Sequence, residues 1–297
     1  MNLIHLPDRA TWLEHRRSGL GGSDVGAILG RAKYRDATPL RVWESKVSIL
    51  DDEDNYTLAR GRYMEAFIAG RLELECGGKV DRVTGFAIAR SAADPCLIYS
   101  PDGFVTMPDG RVGVCEFKSR IRDAREWAEA IPDDVVTQAQ HGMNVCDVDF
   151  ALVACDVGND LRWASVDRDP TWATEIRPRL IAWWHEYVVP QVPPPPQAED
   201  AAVLARLYPR HSPGVTKAMP GEFIAVREEI EELETVRDAA IERINALKNR
   251  VRAEMGDAEI GVLATGAGWR WKTQHKQEHV VKASTSRPLT AFKAKER

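Results

Sequence analysis

A short apolar segment that ends in two charged residues constrains the fold of this 297-residue chain most. The apolar run Val112–Cys115 leads directly into Glu116, Phe117 and Lys118. Because side chains alternate across a strand, the glutamate and the lysine share one face, opposite Phe117. Asp102 lies upstream in a Pro-Asp-Gly turn, at a spacing that suits a hairpin. The segment predicts a strand near whose end two carboxylates and an ammonium converge.

The order of helix and strand patterns in residues 1–195 predicts an α/β domain, with a mixed central sheet flanked by helices. Apolar periodicity predicts helices at 12–17, 25–29, 57–75, 133–145 and 172–187. Alternating or apolar runs predict strands at 79–88, 97–100, 113–118, 150–156 and 161–167. Gly77-Gly78 is a natural end for the long third helix.

A proline-rich segment divides the chain. Five of the seven residues in Pro190–Pro196 are proline, which is typical of a stiff extended linker. We therefore expect a first domain over 1–195 and a linker over 196–221. A long amphipathic or coiled-coil helix then covers 222–256, and a small β-hairpin with a loose tail covers 257–297.

The long helix carries a seam of mostly apolar residues at alternating steps of four and three, as in a coiled coil. The seam comprises Val226, Ile230, Leu233, Arg237, Ala240, Ile244, Leu247 and Val251. Arg237 is its one charged interruption. Three interpretations stay open at this point: packing on the chain's own domain, self-association, and docking to a partner.

Composition narrows the class of protein. No apolar run approaches the roughly 20 residues of a membrane span, and the N-terminus lacks signal-peptide features, so we expect a cytoplasmic protein without membrane contact. Five cysteines without a CxxC pair argue against a disulfide framework or a zinc ribbon and favour reduced, mostly buried thiols. The net charge of −5 is mild evidence against nucleic-acid binding, although a basic groove can be local.

The joint pattern of Asp102, Glu116 and Lys118 indicates chemistry on a phosphodiester. Taken singly, Pro-Asp-Gly is an ordinary turn and Glu-Phe-Lys an ordinary solvated strand face. Together, the hard oxygen ligands suit Mg²⁺ or Mn²⁺, and a metal-bound water beside an ammonium is the apparatus of a metal-dependent nuclease.

This pattern resembles the PD-(D/E)xK nuclease superfamily, whose core is restriction-endonuclease-like. The resemblance implies that Asp102 and Glu116 bind the metal, with the Phe117 carbonyl as a further oxygen ligand. Lys118 then positions the attacking water or stabilises charge on the phosphate.

Further blocks resemble the YqaJ-like viral recombinase nucleases, related to phage lambda exonuclease. In chain order these blocks are Trp12 with Arg16-Arg17 and Gly21–Asp24, Pro39 with Trp43 and Lys46, Gly61–Glu65, and Gln138-Ala139-Gln140. The resemblance covers about residues 8–190 and departs at Val135, where the family has a tyrosine. It implies that Glu65 is an additional acidic metal ligand and that Gln138 orients Lys118 or the water. Arg16 or Arg17, with Ser23 and backbone N–H groups at a helix start, would hold a phosphate.

Each added residue also has an ordinary interpretation: Ser23 as a helix cap, Glu65 as an exposed helix residue, and Gln138 as a surface glutamine. The family implies an Mg²⁺-dependent exonuclease that resects linear double-stranded DNA for phage-type recombination in a bacterial host. A single-strand annealing recombinase is the implied partner, and a homo-oligomer is allowed because related enzymes form rings. Alternatives are an endonuclease on the same core, a catalytically silent DNA-binding or assembly module, and a C-terminal helix that is itself the main functional element.

Overall fold

The computed structural model of the protein describes residues 2–48 and 55–274. These residues form two compact units that meet in sequence between Pro209 and Arg210. The predicted loose tail falls largely on residues 275–297 and lies outside the described residues. Within the described residues, no helix combines the length and apolar character needed to cross a bilayer.

A five-stranded mixed sheet forms the centre of the first unit, in the order β2-β5-β6-β7-β8. Its strands are β2 (Lys79–Arg82), β5 (Gly103–Thr106), β6 (Val112–Ser119), β7 (Phe150–Asp156) and β8 (Leu161–Asp167). Only β6 and β7 run parallel, since the helix Asp133–Cys146 connects them, and the other neighbours are antiparallel. The predicted mixed sheet flanked by helices is confirmed.

A second sheet of three antiparallel strands lies in the same unit, in the order β1-β3-β4. Its strands are β1 (Asn2–Leu6), β3 (Phe86–Arg90) and β4 (Ile98–Tyr99). The predicted strand over 79–88 is therefore two strands that belong to different sheets. The Val83 N–H bonds the Asp102 carbonyl, one position beyond the β2–β5 register, and the chain then turns at Gly85, which has a positive φ of 76°.

The described part of residues 1–190 contains six α-helices: α1 (Arg9–Arg17), α2 (Gly22–Ile28), α3 (Pro39–Val47), α4 (Tyr56–Cys76), α5 (Asp133–Cys146) and α6 (Arg177–Trp183). A 3₁₀ helix covers Ile121–Trp127, and π-helical turns at Trp172–Ile176 and Trp184–Val188 extend α6 on both sides. Side chains cap several starts, as where Asn55 accepts the Leu58 N–H at 3.0 Å. Gly77 ends α4 in the left-handed conformation, as its sequence predicted.

The two faces of the main sheet bury separate apolar clusters. Cys115 and Phe117 pack with Ile68, Ala69 and Leu72 of α4. Val114 packs on the opposite face with residues of α5, including Ala139 and Met143. This division follows the period-two alternation along β6 and leaves Glu116 and Lys118 on the α5 side.

The first unit continues past the proline run. A 3₁₀ turn (Ala198–Asp200) and α7 (Ala201–Leu207) occupy part of the predicted 196–221 linker and pack against α3. Arg206 donates to both oxygens of the buried Glu44, at 2.8 and 2.6 Å, and Thr38 donates to the buried Asp200. The proline segment thus folds back into the unit, because two buried carboxylates and Val203 need these partners.

The second unit contains a 33-residue helix, α8 (Phe223–Met255), and an antiparallel hairpin of β9 (Ile260–Val262) and β10 (Gly268–Arg270). The predicted long helix and hairpin are both present. None of the α8 side chains is buried. Cys76, Cys96, Cys115, Cys146 and Cys155 are all free thiols, three of them buried, as the sequence predicted.

Candidate functional site

Asp102 and Glu116 face each other across the β5–β6 pair. Gly103 is opposite Cys115 in the register, so the next position brings Asp102 beside Glu116. The Phe117 N–H donates to the Asp102 Oδ2 at 2.6 Å, which fixes that carboxylate against β6. Burial, followed by the negative charge of Glu116, raises the pKa of Asp102 well above its usual value, although Lys118 opposes this. Two neighbouring carboxylates thus share a partly desolvated space.

Lys118 bridges the two sides of this space. Its Nζ donates to Glu116 Oε1 and, at 2.9 Å, to the Oε1 of Gln138 on α5. Burial lowers the pKa of Lys118, but Glu116 and Asp102 outweigh it, so the net pKa is raised and the side chain is an ammonium. The predicted contact between Gln138 and Lys118 therefore exists in the folded chain.

Tyr99 holds the other oxygen of Glu116, a contact that sequence reasoning missed. The phenol donates to Glu116 Oε2 at 2.6 Å, with Tyr99 only 3% and Glu116 only 5% exposed. Space for the ring comes from Gly142 on α5, where an added Cβ would lie 2.6 Å from the Tyr99 ring. In the sequence, the one signal for this contact was the position of Tyr99 directly before the Ser-Pro-Asp turn that contains Asp102.

Glu65 lies on the edge of the same site. It is partly buried, and its Oε2 is 3.8 Å from an Arg82 nitrogen. Burial raises the pKa of Glu65, while Arg82, Arg62 and Lys118 lower it and Glu116 raises it further. These mutual effects place Glu65 within electrostatic reach of the Glu116–Lys118 pair, although no hydrogen bond joins it to them.

The donor set suits a hard divalent cation with an open coordination shell. Asp102, Glu116 and the Phe117 carbonyl could offer oxygen ligands, and a bound cation would oppose the burial and the Glu116 charge that raise the pKa of Asp102. Within the described residues, no group of three or more His, Cys, Asp or Glu side chains is close enough to hold a metal ion. Water or substrate oxygens would therefore complete the shell, as Mg²⁺ commonly requires.

A cavity of about 450 Å³ opens beside α2 and contains the three residues predicted to bind phosphate, Arg16, Arg17 and Ser23. Arg16 lies over the Trp12 ring at 4.7 Å, and its Nη2 is 3.4 Å from the Ser23 hydroxyl. Ser23 is exposed and does not cap the helix, since the N-cap position is Gly21. The cavity thus presents two guanidinium groups and a hydroxyl on one surface.

A buried ion pair supports this cavity and was not predicted. Lys46 Nζ donates to Asp24 Oδ2 at 2.6 Å and to the Arg16 carbonyl at 3.0 Å. Burial lowers the pKa of Lys46. Burial also raises the pKa of Asp24, but the charges of Lys46 and Arg16 oppose it, and the net pKa of Asp24 is lowered. Gly22 connects this region to the carboxylate site, because its added Cβ would lie 3.4 Å from Gln138.

The chain is also similar to known proteins. Residues 11–149 match the model of the YqaJ-like viral recombinase domain. The uncharacterized protein YqaJ of Bacillus subtilis (strain 168) is 26% identical over 271 residues, which cover 86% of this chain and 81% of that protein.

Two solved structures are also similar. LHK-Exo in complex with dAMP has a TM-score of 0.51 at 17% identity, covering 67% of this chain and 97% of that chain. An alkaline exonuclease (LHK-Exo) from Laribacter hongkongensis has a TM-score of 0.48 at 18% identity, covering 62% and 94%. The first of these matches shows a shared fold. The match to the YqaJ-like viral recombinase domain over residues 11–149 includes all the candidate site residues.

Proposed function

We propose that this chain is a metal-dependent deoxyribonuclease that degrades linear duplex DNA from an end, and that its product serves phage-type recombination. The observation that supports this most is the convergence of Asp102, Glu116, Lys118 and Gln138 at one end of β6, with Glu65 beside them. Four separate segments of the chain supply these groups. A structural ion pair would need only two of them.

Asp102, Glu116 and the Phe117 carbonyl would hold Mg²⁺ or Mn²⁺, with Glu65 as an additional acidic ligand. A bound ion of this kind lowers the pKa of a water and neutralises charge on a departing oxygen. Lys118 holds its ammonium beside that position, and Gln138 fixes the ammonium's direction through the 2.9 Å bond. A guanidinium would replace Lys118 poorly, because it is planar and larger than this point charge.

The α2 cavity supplies the second part of the proposal. Arg16 and Arg17, with the Ser23 hydroxyl, would bind a terminal or flanking phosphate, since guanidinium groups match phosphate oxygens well. The Lys46–Asp24 pair, whose opposite charges offset each other, keeps the backbone of Arg16 in place. The net charge of −5 is mild evidence against binding of nucleic acid, but the positive charge of these arginines is local to the cavity and could attract a phosphate.

The decisive test is Glu116→Gln, assayed on end-labelled linear duplex DNA with and without Mg²⁺. We expect turnover to fall by a factor of about 10² or more, since a few kcal/mol of transition-state stabilisation is lost. Glu44→Gln makes the same change at another buried carboxylate, outside the site, and should keep most turnover. Wild-type digestion by Glu116→Gln would refute the assignment.

Two further arms separate the proposed reaction from its alternatives. Closed circular DNA should resist digestion, and its cleavage would indicate an endonuclease on the same core. Calorimetry with Mg²⁺ should show binding that Glu116→Gln weakens, and an absence of both binding and cleavage would indicate a silent DNA-binding module. Comparing 5′-phosphate with 5′-hydroxyl ends in Arg17→Gln tests the α2 cavity.

A further inference from the structure

The α8 helix exposes an apolar seam along its length. Its main members are substantially exposed, with Ile230 at 48%, Leu233 at 60%, Ile244 at 48% and Leu247 at 42%. Thirty-three residues make a helix of about 50 Å, and the seam runs for about four heptads. A heptad pattern sustained over that length is typical of a helix that packs against another helix.

The distribution of charge along α8 selects the orientation of such a partner. Residues 222–238 carry seven acidic and two basic side chains, whereas residues 239–255 carry two acidic and four basic ones. A second copy of α8 that runs antiparallel brings each acidic half against a basic half. Charge complementarity of this kind favours the complementary register over other registers.

We propose that α8 pairs with α8 of a second copy of this chain as an antiparallel two-stranded coiled coil. In the register that keeps the whole seam covered, Ile230 meets Leu247 of the second copy, and Leu233 meets its Ile244. Val226 likewise meets Val251. Every seam layer outside the centre is then apolar on both sides.

The charged interruption of the seam fits this register. Arg237 lies opposite Ala240 of the second copy, whose small side chain leaves room for the longer one. Within its own helix, Arg237 forms ion pairs with Asp238 at 2.8 Å and Glu234 at 3.5 Å. These two carboxylates offset the arginine charge at the edge of the proposed interface. A parallel dimer would instead place the two arginines directly against each other, with alanine against alanine one layer later.

The flanking charges point the same way. In the antiparallel register Glu229 lies beside Arg250 of the second copy, and symmetry repeats the contact. A parallel pairing would place Glu229 against Glu234 and Arg243 against Lys248. One antiparallel flanking pair, Arg227 with Lys248, is like-charged, but Arg227 is balanced by Glu231 at 2.9 Å in its own helix.

The test is sedimentation of the full chain over a range of concentrations. We expect Leu233→Glu/Leu247→Glu to halve the mass of the parent assembly, while digestion of DNA per chain stays unchanged. Circular dichroism should show that both proteins keep their folded first unit. A parent that is monomeric at all concentrations, or an assembly that this double substitution leaves intact, overturns the proposal.

Two variants determine the orientation. Glu229→Lys should weaken the antiparallel pair about tenfold, and adding Arg250→Glu should restore it. In a parallel pair Glu229→Lys would tighten association, because it faces Glu234. Under mild oxidation, Ile230→Cys/Leu247→Cys should yield a disulfide-linked dimer and Leu247→Cys alone should not, relative to the parent with its five native cysteines. Crosslinking of Leu247→Cys alone, or tighter association of Glu229→Lys, overturns the antiparallel assignment.

Discussion

Removing one oxygen atom from Tyr99 tests the arrangement of the carboxylate site. Tyr99→Phe deletes the hydroxyl that donates to Glu116 at 2.6 Å and keeps the ring that packs beside Gly142. Both residues are nearly inaccessible to solvent, so water cannot replace the lost donor without opening the site. The substitution therefore isolates a single hydrogen bond to a buried carboxylate.

The magnitude follows from the charge and burial of the acceptor. A hydrogen bond to a charged group contributes about 1.5–3 kcal/mol, and among the described residues Lys118 is the one side-chain donor that Glu116 keeps after the substitution. We expect the free energy of unfolding at pH 7.5 to fall by about 2 kcal/mol. On the proposed function, Mg²⁺ affinity and turnover should fall as well, because Glu116 gains freedom to rotate out of position.

Urea unfolding, followed by calorimetric Mg²⁺ titration, measures both effects. Tyr63→Phe is the matched control, since Tyr63 is 82% exposed and its hydroxyl should contribute little. A loss below about 0.5 kcal/mol in Tyr99→Phe, equal to that of the control, would show that this hydroxyl does not bond the Glu116 side chain in the folded protein.

Three other predictions concern the surroundings of the site. Gly142→Ala and its control Gly113→Ala each place a Cβ 2.6 Å from a buried aromatic ring, so each should lower the free energy of unfolding by about 1–3 kcal/mol. On the proposed function, Gly142→Ala alone should also lower turnover, because the ring it displaces is that of Tyr99. Burial lowers the pKa of His141 below its ordinary 6.5, so its contribution to stability is complete above pH 6.5 and is lost as the pH falls through the lowered value; His141→Gln should flatten that part of a urea-midpoint profile against pH. Arg206→Met leaves Glu44 without its bidentate partner and should cost about 2 kcal/mol, a figure reduced because the guanidinium is half exposed; an unchanged urea midpoint would show that α7 is not anchored by this pair.

Elements with a continuous pattern were predictable to within a residue or two. Strands β7 and β8 have the predicted bounds, since each is an uninterrupted run between turn signals. The break between β2 and β3 was not predictable, because Val83 and Thr84 read as strand residues and only the partner strands separate the two sheets. The short β1 and α7 were missed for the same reason, since each is defined by what it packs against.

The predicted site residues depended on spacing along one strand and on family resemblance. Period-two alternation was enough to place Glu116 and Lys118 on one face. The Tyr99–Glu116 bond and the Lys46–Asp24 pair join segments 17 and 22 residues apart through the tertiary fold, and no local pattern encodes such contacts. Polar partners of buried charges are thus the part of a site that a single sequence conceals.

Several of the contacts that shape the site depend on neighbouring residues of the α5 helix. Along α5, Gln138 bonds Lys118, His141 shares its Nε2–H between the Leu20 and Ile98 carbonyls, and Gly142 admits Tyr99. These three positions lie within about one turn, so a small axial slide of α5 would disturb all of them together. In double-mutant cycles, the stability effects of substitutions at these three positions should therefore combine non-additively. The stability effects of changes in α3 or α7 should instead add to those of changes in α5.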